Sequence, residues 1–156
     1  MSNAIPLDVV HEVRQACLCL ATQRAARTLA RRFDRAFQHL GLTNGQFSLM
    51  MPLNVPEPMK LGQLAAFLAM DRTTLTAALK SLERRGLVEV SVDKTDNRAR
   101  RLSLTTAGLE TLAAAIPIWR AEHAALEAEL SEANAAKLRA LLPTIKDGKR
   151  GTGYAG

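Results

Sequence analysis

After Gly86 the apolar period of this chain changes. Upstream, Leu75, Leu79 and Leu82 recur at helical steps; downstream, Val88, Val90 and Val92 alternate with Glu89, Ser91 and Asp93, and the alternation returns at Leu102 and Leu104. A helix stopped by a glycine and followed at once by two strands around a charged loop leaves few folds open. The helix before the switch, Arg72 to Arg85, follows a break at Ala69-Met70-Asp71, where Asp71 suits an N-cap. Ahead of that break Leu61, Leu64, Ala65 and Leu68 lie on one helical face. Two short helices across a tight turn form a helix-turn-helix, and the hairpin behind them is a wing with a basic tip.

The flanks read as helices too. Asp8 to about His39 carries Val9, Val13, Leu18, Ala21, Ala25, Leu29 and Phe33 on a periodic track with no Pro or Gly inside. About thirty helical residues span some 45 Å at ~1.5 Å each, longer than a small domain needs, so part of this helix is expected to pack on another chain. Thr43 and Gln46 form a capping-box pattern opening a short helix from Asn44 to about Leu53, and Asn54-Val-Pro-Glu-Pro58 reads as a loop. A second long helix runs from Thr106 to about Leu130, with a bend expected at Pro117; Ser131 then caps a last helix from Glu132 to about Ile145.

The fold expected is mainly α with a small β-hairpin wing: a winged helix-turn-helix over residues 42–105, between helical segments 7–40 and 106–146. The whole chain is expected to form one domain, with a glycine-rich, disordered tail at 147–156.

The chain has 156 residues, and its 21 Lys and Arg outnumber 15 Asp and Glu for a net charge of +6. A basic balance points to a polyanionic partner, nucleic acid before an anionic membrane. No apolar run reaches the roughly 18 to 20 residues of a membrane span. The start lacks a secretory pattern, and Ser2-Asn3-Ala4 looks as much like an expression scar as native sequence. A cytoplasmic protein without membrane contact is expected.

On the second helix of the helix-turn-helix, Leu75, Leu79 and Leu82 face inward and leave Arg72, Thr73, Thr74, Thr76, Lys80 and Arg84 toward solvent. Small hydroxyl-bearing side chains suit a major groove: threonine exchanges hydrogen bonds with base edges and its methyl touches a thymine methyl, while Lys and Arg neutralise phosphates. The competing reading is a solvated polar face. The wing loop favours the first, because Arg98, Arg100 and Arg101 are more charge than solubility requires. Arg98 is the residue expected to enter a narrow minor groove, with Asp93 and Asp96 orienting the wing.

These residues, in this order and spacing, resemble the MarR family of regulators: Leu42-Thr43-x-x-Gln46-Phe47, Leu61-Gly-Gln-Leu64-Ala65, Asp71-Arg-Thr-Thr-Leu-Thr76, Leu82-Glu-Arg-Arg-Gly86-Leu-Val88, and Asp93-x-x-Asp96-x-Arg98 leading to Gly108. The resemblance runs from about Val9 to Ile145. It implies a recognition helix at Arg72 to Arg85, Arg98 at the wing tip, and terminal helices forming a homodimer on a palindromic double-stranded DNA operator. Family members commonly carry a further basic residue where this chain has Thr95 or Asn97, which would shift the wing's affinity onto Arg98, Arg100 and Arg101.

The resemblance also implies a switch, with the protein expected to act as a repressor released by a small aromatic acid or acyl thioester. Phe47, Met50 and Met51, with Trp119, Arg120 and His123, are the candidate effector pocket, against the plainer reading that several are core. Cys17 and Cys19 offer a thiol-based redox alternative. Two positions apart on a continuous helix they point to nearly opposite sides, so neither pairing within one chain nor a shared metal is expected. A winged helix that binds protein as a scaffold is a further alternative.

An enzyme is not expected, since His11, His39 and His123 show no metal-ligand spacing and no nucleophile motif accompanies them. The Gly151-Thr-Gly153-Tyr-Ala-Gly156 match to a dinucleotide loop has no strand before it. No cofactor and no metal are implied. The arginines Arg24, Arg27, Arg31, Arg32 and Arg35 read as a solvated face of the first helix.

Overall fold

The computed structural model describes residues 5–148, so the expected Ser2-Asn3-Ala4 scar, nearly all of the expected tail and the Gly151–Gly156 motif lie outside the described residues. Contacts divide the chain into two compact units, Met1–Trp119 and Arg120–Gly156, where the sequence suggests one.

In the first unit the elements run α1 (Leu7–Ala16), α2 (Leu18–Phe37), α3 (Asn44–Met50), β1 (Met59–Lys60), α4 (Leu61–Phe67), α5 (Arg72–Arg84), β2 (Val88–Val92), β3 (Arg100–Leu104) and the start of α6 (Thr106–Leu130). The expected first helix is thus two. Cys17 has extended backbone, ψ 105°, and its sulfur accepts the amide of Leu20, so it is the N-cap of α2 rather than a helical residue. No Pro or Gly signals this break, because it rests on a cysteine acting as a cap. The geometric ground for keeping Cys17 and Cys19 apart, a continuous helix through both, is removed.

Capping fixes the next elements. Thr43 accepts from the amide of Gln46 while the Gln46 side chain accepts from the amide of Thr43, so α3 starts where the capping box places it. It gives way at Met51 to a 3₁₀ turn, Met51–Leu53, that contains Pro52. Asp71 caps α5, and Gly86 at φ 68° turns the chain into β2.

The wing is more than the expected hairpin. The sheet has three antiparallel strands in the order β1-β3-β2, with Met59 opposite Leu102 and Val90 opposite Leu102 on the other side. The added strand has two residues, too few for alternation to reveal it. Phe37, Met50, Leu64, Leu75, Leu82, Val88 and Leu102 are fully buried, and Phe37 stacks on Phe47 with ring centroids 4.9 Å apart. This core joins α2 and α3 to the inner faces of α4 and α5 and the root of the wing.

Gly108 seats α6 against that root. A Cβ at this position would lie 2.1 Å from the Leu87 carbonyl oxygen, so only glycine fits. The helix continues unbroken through Pro117.

In the second unit the rest of α6 is followed by α7 (Glu132–Leu141), capped by Ser131 and ending in a 3₁₀ turn at Pro143 rather than continuing to Ile145. There Glu127 receives Arg139 and, at 3.6 Å, His123, and Ala135 is buried. No helix of the described residues is long and apolar enough to cross a membrane.

Candidate nucleic-acid interface

The outward face of α5 carries Arg72, Thr73, Thr74, Thr76, Lys80 and Arg84, all exposed, opposite buried Leu75, Leu79 and Leu82. Internal hydrogen bonds narrow what two threonines offer. Thr74 donates its hydroxyl to Asp71 at 2.6 Å, and Thr76 donates to the Arg72 carbonyl at 2.7 Å. Each keeps acceptor lone pairs and a methyl group, which suit base amino groups and thymine methyls. The Thr74 hydroxyl, then its amide, hold the Asp71 carboxyl below the ordinary carboxylate range.

The wing is set from its base. Asp93 is buried and accepts at Oδ1 from the Thr95 amide and hydroxyl, both at 2.8 Å, and from the Asp96 amide at 3.3 Å. Its other oxygen receives Arg101 Nε at 2.7 Å, and Lys60 Nζ stands 4.0 Å away. The Thr95 hydrogen bonds, followed by Arg101, press the Asp93 carboxyl well below its usual range, against the opposing effect of burial.

Arg101 is therefore not a free groove contact. Its Nε is bound to Asp93 and its Nη1 donates to the Pro58 carbonyl at 2.9 Å, so two of its nitrogens are engaged within the protein. Arg100 holds the turn itself through Nη1 on the Asn97 carbonyl at 3.1 Å. Asp96 accepts the Arg98 amide at 3.0 Å, which leaves the Arg98 guanidinium exposed and without an acceptor among the described residues.

Lys60, Gly62, Arg72, Asp96, Arg98 and Arg100 meet around a cleft of about 410 Å³. The sequence reading missed Lys60 and Gly62. A lone lysine and a glycine carry no local signal; the β1–β3 pairing is what brings them beside the wing.

A MarR family model matches residues 42–99, which hold this constellation except for Arg100 and Arg101. MosR, a transcriptional regulator of M. tuberculosis solved in complex with DNA, is 34% identical; the match covers 81% of this chain and 99% of that one at a TM-score of 0.67. The chain belongs to the MarR family. It is a DNA-binding transcriptional regulator.

The repressor CouR, bound to a 23-mer duplex, is 29% identical to this MarR-family chain, with 85% of this chain and 94% of that one covered and a TM-score of 0.75. CouR has also been solved with p-coumaroyl-CoA, again at a TM-score of 0.75. Among curated proteins, the transcriptional activatory protein BadR of Rhodopseudomonas palustris is 33% identical over 88 residues, 54% of this chain and 50% of BadR. The chain thus spans about half the length of BadR.

The other candidate residues of this MarR-family protein fall in different places. Phe47 and Met50 are buried, at 7% and 0% exposure, and their side chains pack in the core. Met51 is exposed and borders a groove of about 300 Å³ with Leu109, Leu112 and Ile116. Trp119 is half-buried, Arg120 exposed, and His123 faces Glu127. Cys17 and Cys19 are free thiols, the first half-buried and the second exposed.

Proposed function

We propose that this regulator works as a homodimeric, sequence-specific repressor on a palindromic operator, released by an aromatic acid or acyl thioester. The observation that carries it is the pairing of an exposed threonine-rich helix face with a free guanidinium at Arg98, held on a wing with an anchored base. In this reading α5 occupies the major groove and Arg98 the adjacent minor groove, Arg100 backs the turn, and segment 42–105 is the DNA-binding region.

Dimerisation is supported by apolar side chains left in solvent. Leu7, Val10, Val13 and Leu18 are exposed at the N-terminal end, as are Leu138, Leu141, Leu142 and Ile145 in the C-terminal segment. A two-fold dimer would place its recognition helices about 34 to 36 Å apart, one turn of duplex. The effector class is supported by the apolar groove at Met51 and by the CoA thioester seen in CouR.

A competition gel shift tests the reading: the purified protein on DNA upstream of its own gene, against a scrambled duplex of equal composition. Selective retention, reversed by aromatic acids or acyl thioesters, is expected. Equal retention of both duplexes would leave only electrostatic binding at that site.

One observation favours a second mode of release. Cys17 caps α2 with its sulfur, so its oxidation by peroxide to the sulfenic acid, with water released, would put an oxygen on the capping sulfur and disturb the helix start. Peroxide that releases DNA from the wild type but not from Cys17→Ser would establish it; equal release from both would dismiss it.

A further inference from the structure

The cleft between the wing and the start of α5 gathers four cations, Lys60, Arg72, Arg98 and Arg100, around one carboxylate, Asp96. Asp96 is engaged by the Arg98 amide, and neither Arg72 nor Arg98 has a guanidinium acceptor among the described residues. Four cations share the Asp96 carboxylate here, with Lys60 also 4.0 Å from Asp93, so positive charge is in excess in the cleft and favours an anion. One neighbour is unusual. A Cβ built on Gly62 would lie 2.9 Å from Arg72 Nη2, 3.6 Å from Cζ and 3.9 Å from Nε, so the guanidinium rests across the bare glycine.

We propose that this cleft seats a DNA backbone phosphate and that Gly62 is a positioning residue for it, holding Arg72 in place by having no side chain. The inference rests on the DNA-binding reading above and adds to it a place and a cause. With α5 in the major groove and the wing in the minor groove, the strand between the two grooves passes over the cleft that separates them. A phosphodiester there meets Lys60, Arg72 and Arg100 at once, from three separate elements. These contacts fix register and carry no base information.

The steric argument makes the glycine testable apart from folding. The group that the new methyl of Gly62→Ala would displace is the far end of a flexible side chain, and alanine is the better helix former in the first turn of α4. Gly62→Ala should therefore fold as well as the wild type while moving Arg72 off its seat.

The experiment is a salt series of anisotropy titrations on a fluorescent duplex of arbitrary sequence, since a phosphate contact needs no operator. Gly62→Ala and Arg72→Ala are each expected to weaken binding several-fold at low salt and to lower the slope of log affinity against log salt by about one for each protomer bound. Adding Gly62→Ala to Arg72→Ala should then change nothing further. Thermal melting of each variant establishes that the fold is kept. Wild-type affinity and slope in Gly62→Ala, or losses that add in the double variant, would overturn the proposal. Arg98→Ala separates the two levels: if it weakens binding while Gly62→Ala does not, the phosphate seat fails and the winged-helix reading stands; if neither does, that reading fails with it.

Discussion

Arg101 and Asp93 meet at the base of the wing, Nε 2.7 Å from Oδ2, and the same guanidinium donates to the Pro58 carbonyl. One arginine thus ties β3 to the wing turn and to the residue just before β1. The wing tip borrows its order from this base, because the Thr95 and Asp96 amides that shape the turn close on the same carboxylate.

Arg98 and Arg101 should consequently respond differently to truncation. Arg98→Ala is expected to weaken binding by about 1 to 3 kcal/mol and lower the salt slope by about one. Arg101→Ala should weaken binding through a loosened wing and leave the slope unchanged, since its charge is matched by Asp93. Equal slope changes in the two variants would place Arg101 on the phosphates after all.

Acid should loosen the wing. Asp93 has its folded carboxyl held well below the ordinary value of 3.8, so the unfolded chain takes up its proton first. The stability it confers is complete above that value and is lost as pH falls below it toward the folded value. Protection of the Thr95 and Asp96 amides from exchange, relative to an unstructured peptide at the same pH, is expected to fall in this acid window. In Asp93→Asn exchange should already be fast at neutral pH and show no such step; an unchanged acid step there would assign it to another group.

Gly108→Ala should destabilise the first unit by about 1 to 3 kcal/mol or more, as overpacking does, because the methyl would meet the Leu87 carbonyl oxygen of the backbone. Denaturant unfolding measures this. A variant as stable as the wild type would mean that α6 shifts off β2 at no cost.

Charging the C-terminal apolar residues should separate the proposed dimer. Leu141→Glu with Ile145→Glu alters two exposed positions and is expected to give a folded monomer by sedimentation equilibrium. Its affinity for a palindromic site should fall by about 10²- to 10⁴-fold, the advantage that two linked modules hold over one. A dimer that persists would move the interface elsewhere.

Much of this was legible from the residues alone. The capping box at Thr43 and Gln46, the cap at Asp71 and the switch of period after Gly86 place α3, α5 and the wing because each is a local signal, written within a turn or a strand of the group it satisfies. The buried row Leu75, Leu79 and Leu82 follows from helical spacing, and with it the face that looks outward. The family was legible for the same reason: its motif residues are contiguous.

What the sequence left open depends on groups distant in the chain. Arg98, Arg100 and Arg101 stand within four positions and carry the same charge, yet the first is free, the second holds the turn and the third is tied to Asp93 and Pro58. Strand pleat and the position of Asp93 decide among them, and no composition of the loop encodes that choice. The break at Cys17, the two-residue strand at Met59 and the resting of Arg72 on Gly62 are of the same kind. The sequence by itself determined the helix-turn-helix, the β2–β3 hairpin, their order and the charge of the wing, because caps and periodicity are local. Only the tertiary structure decided which cations remain available to a phosphate, because a guanidinium is available only where no partner from another element has reached it.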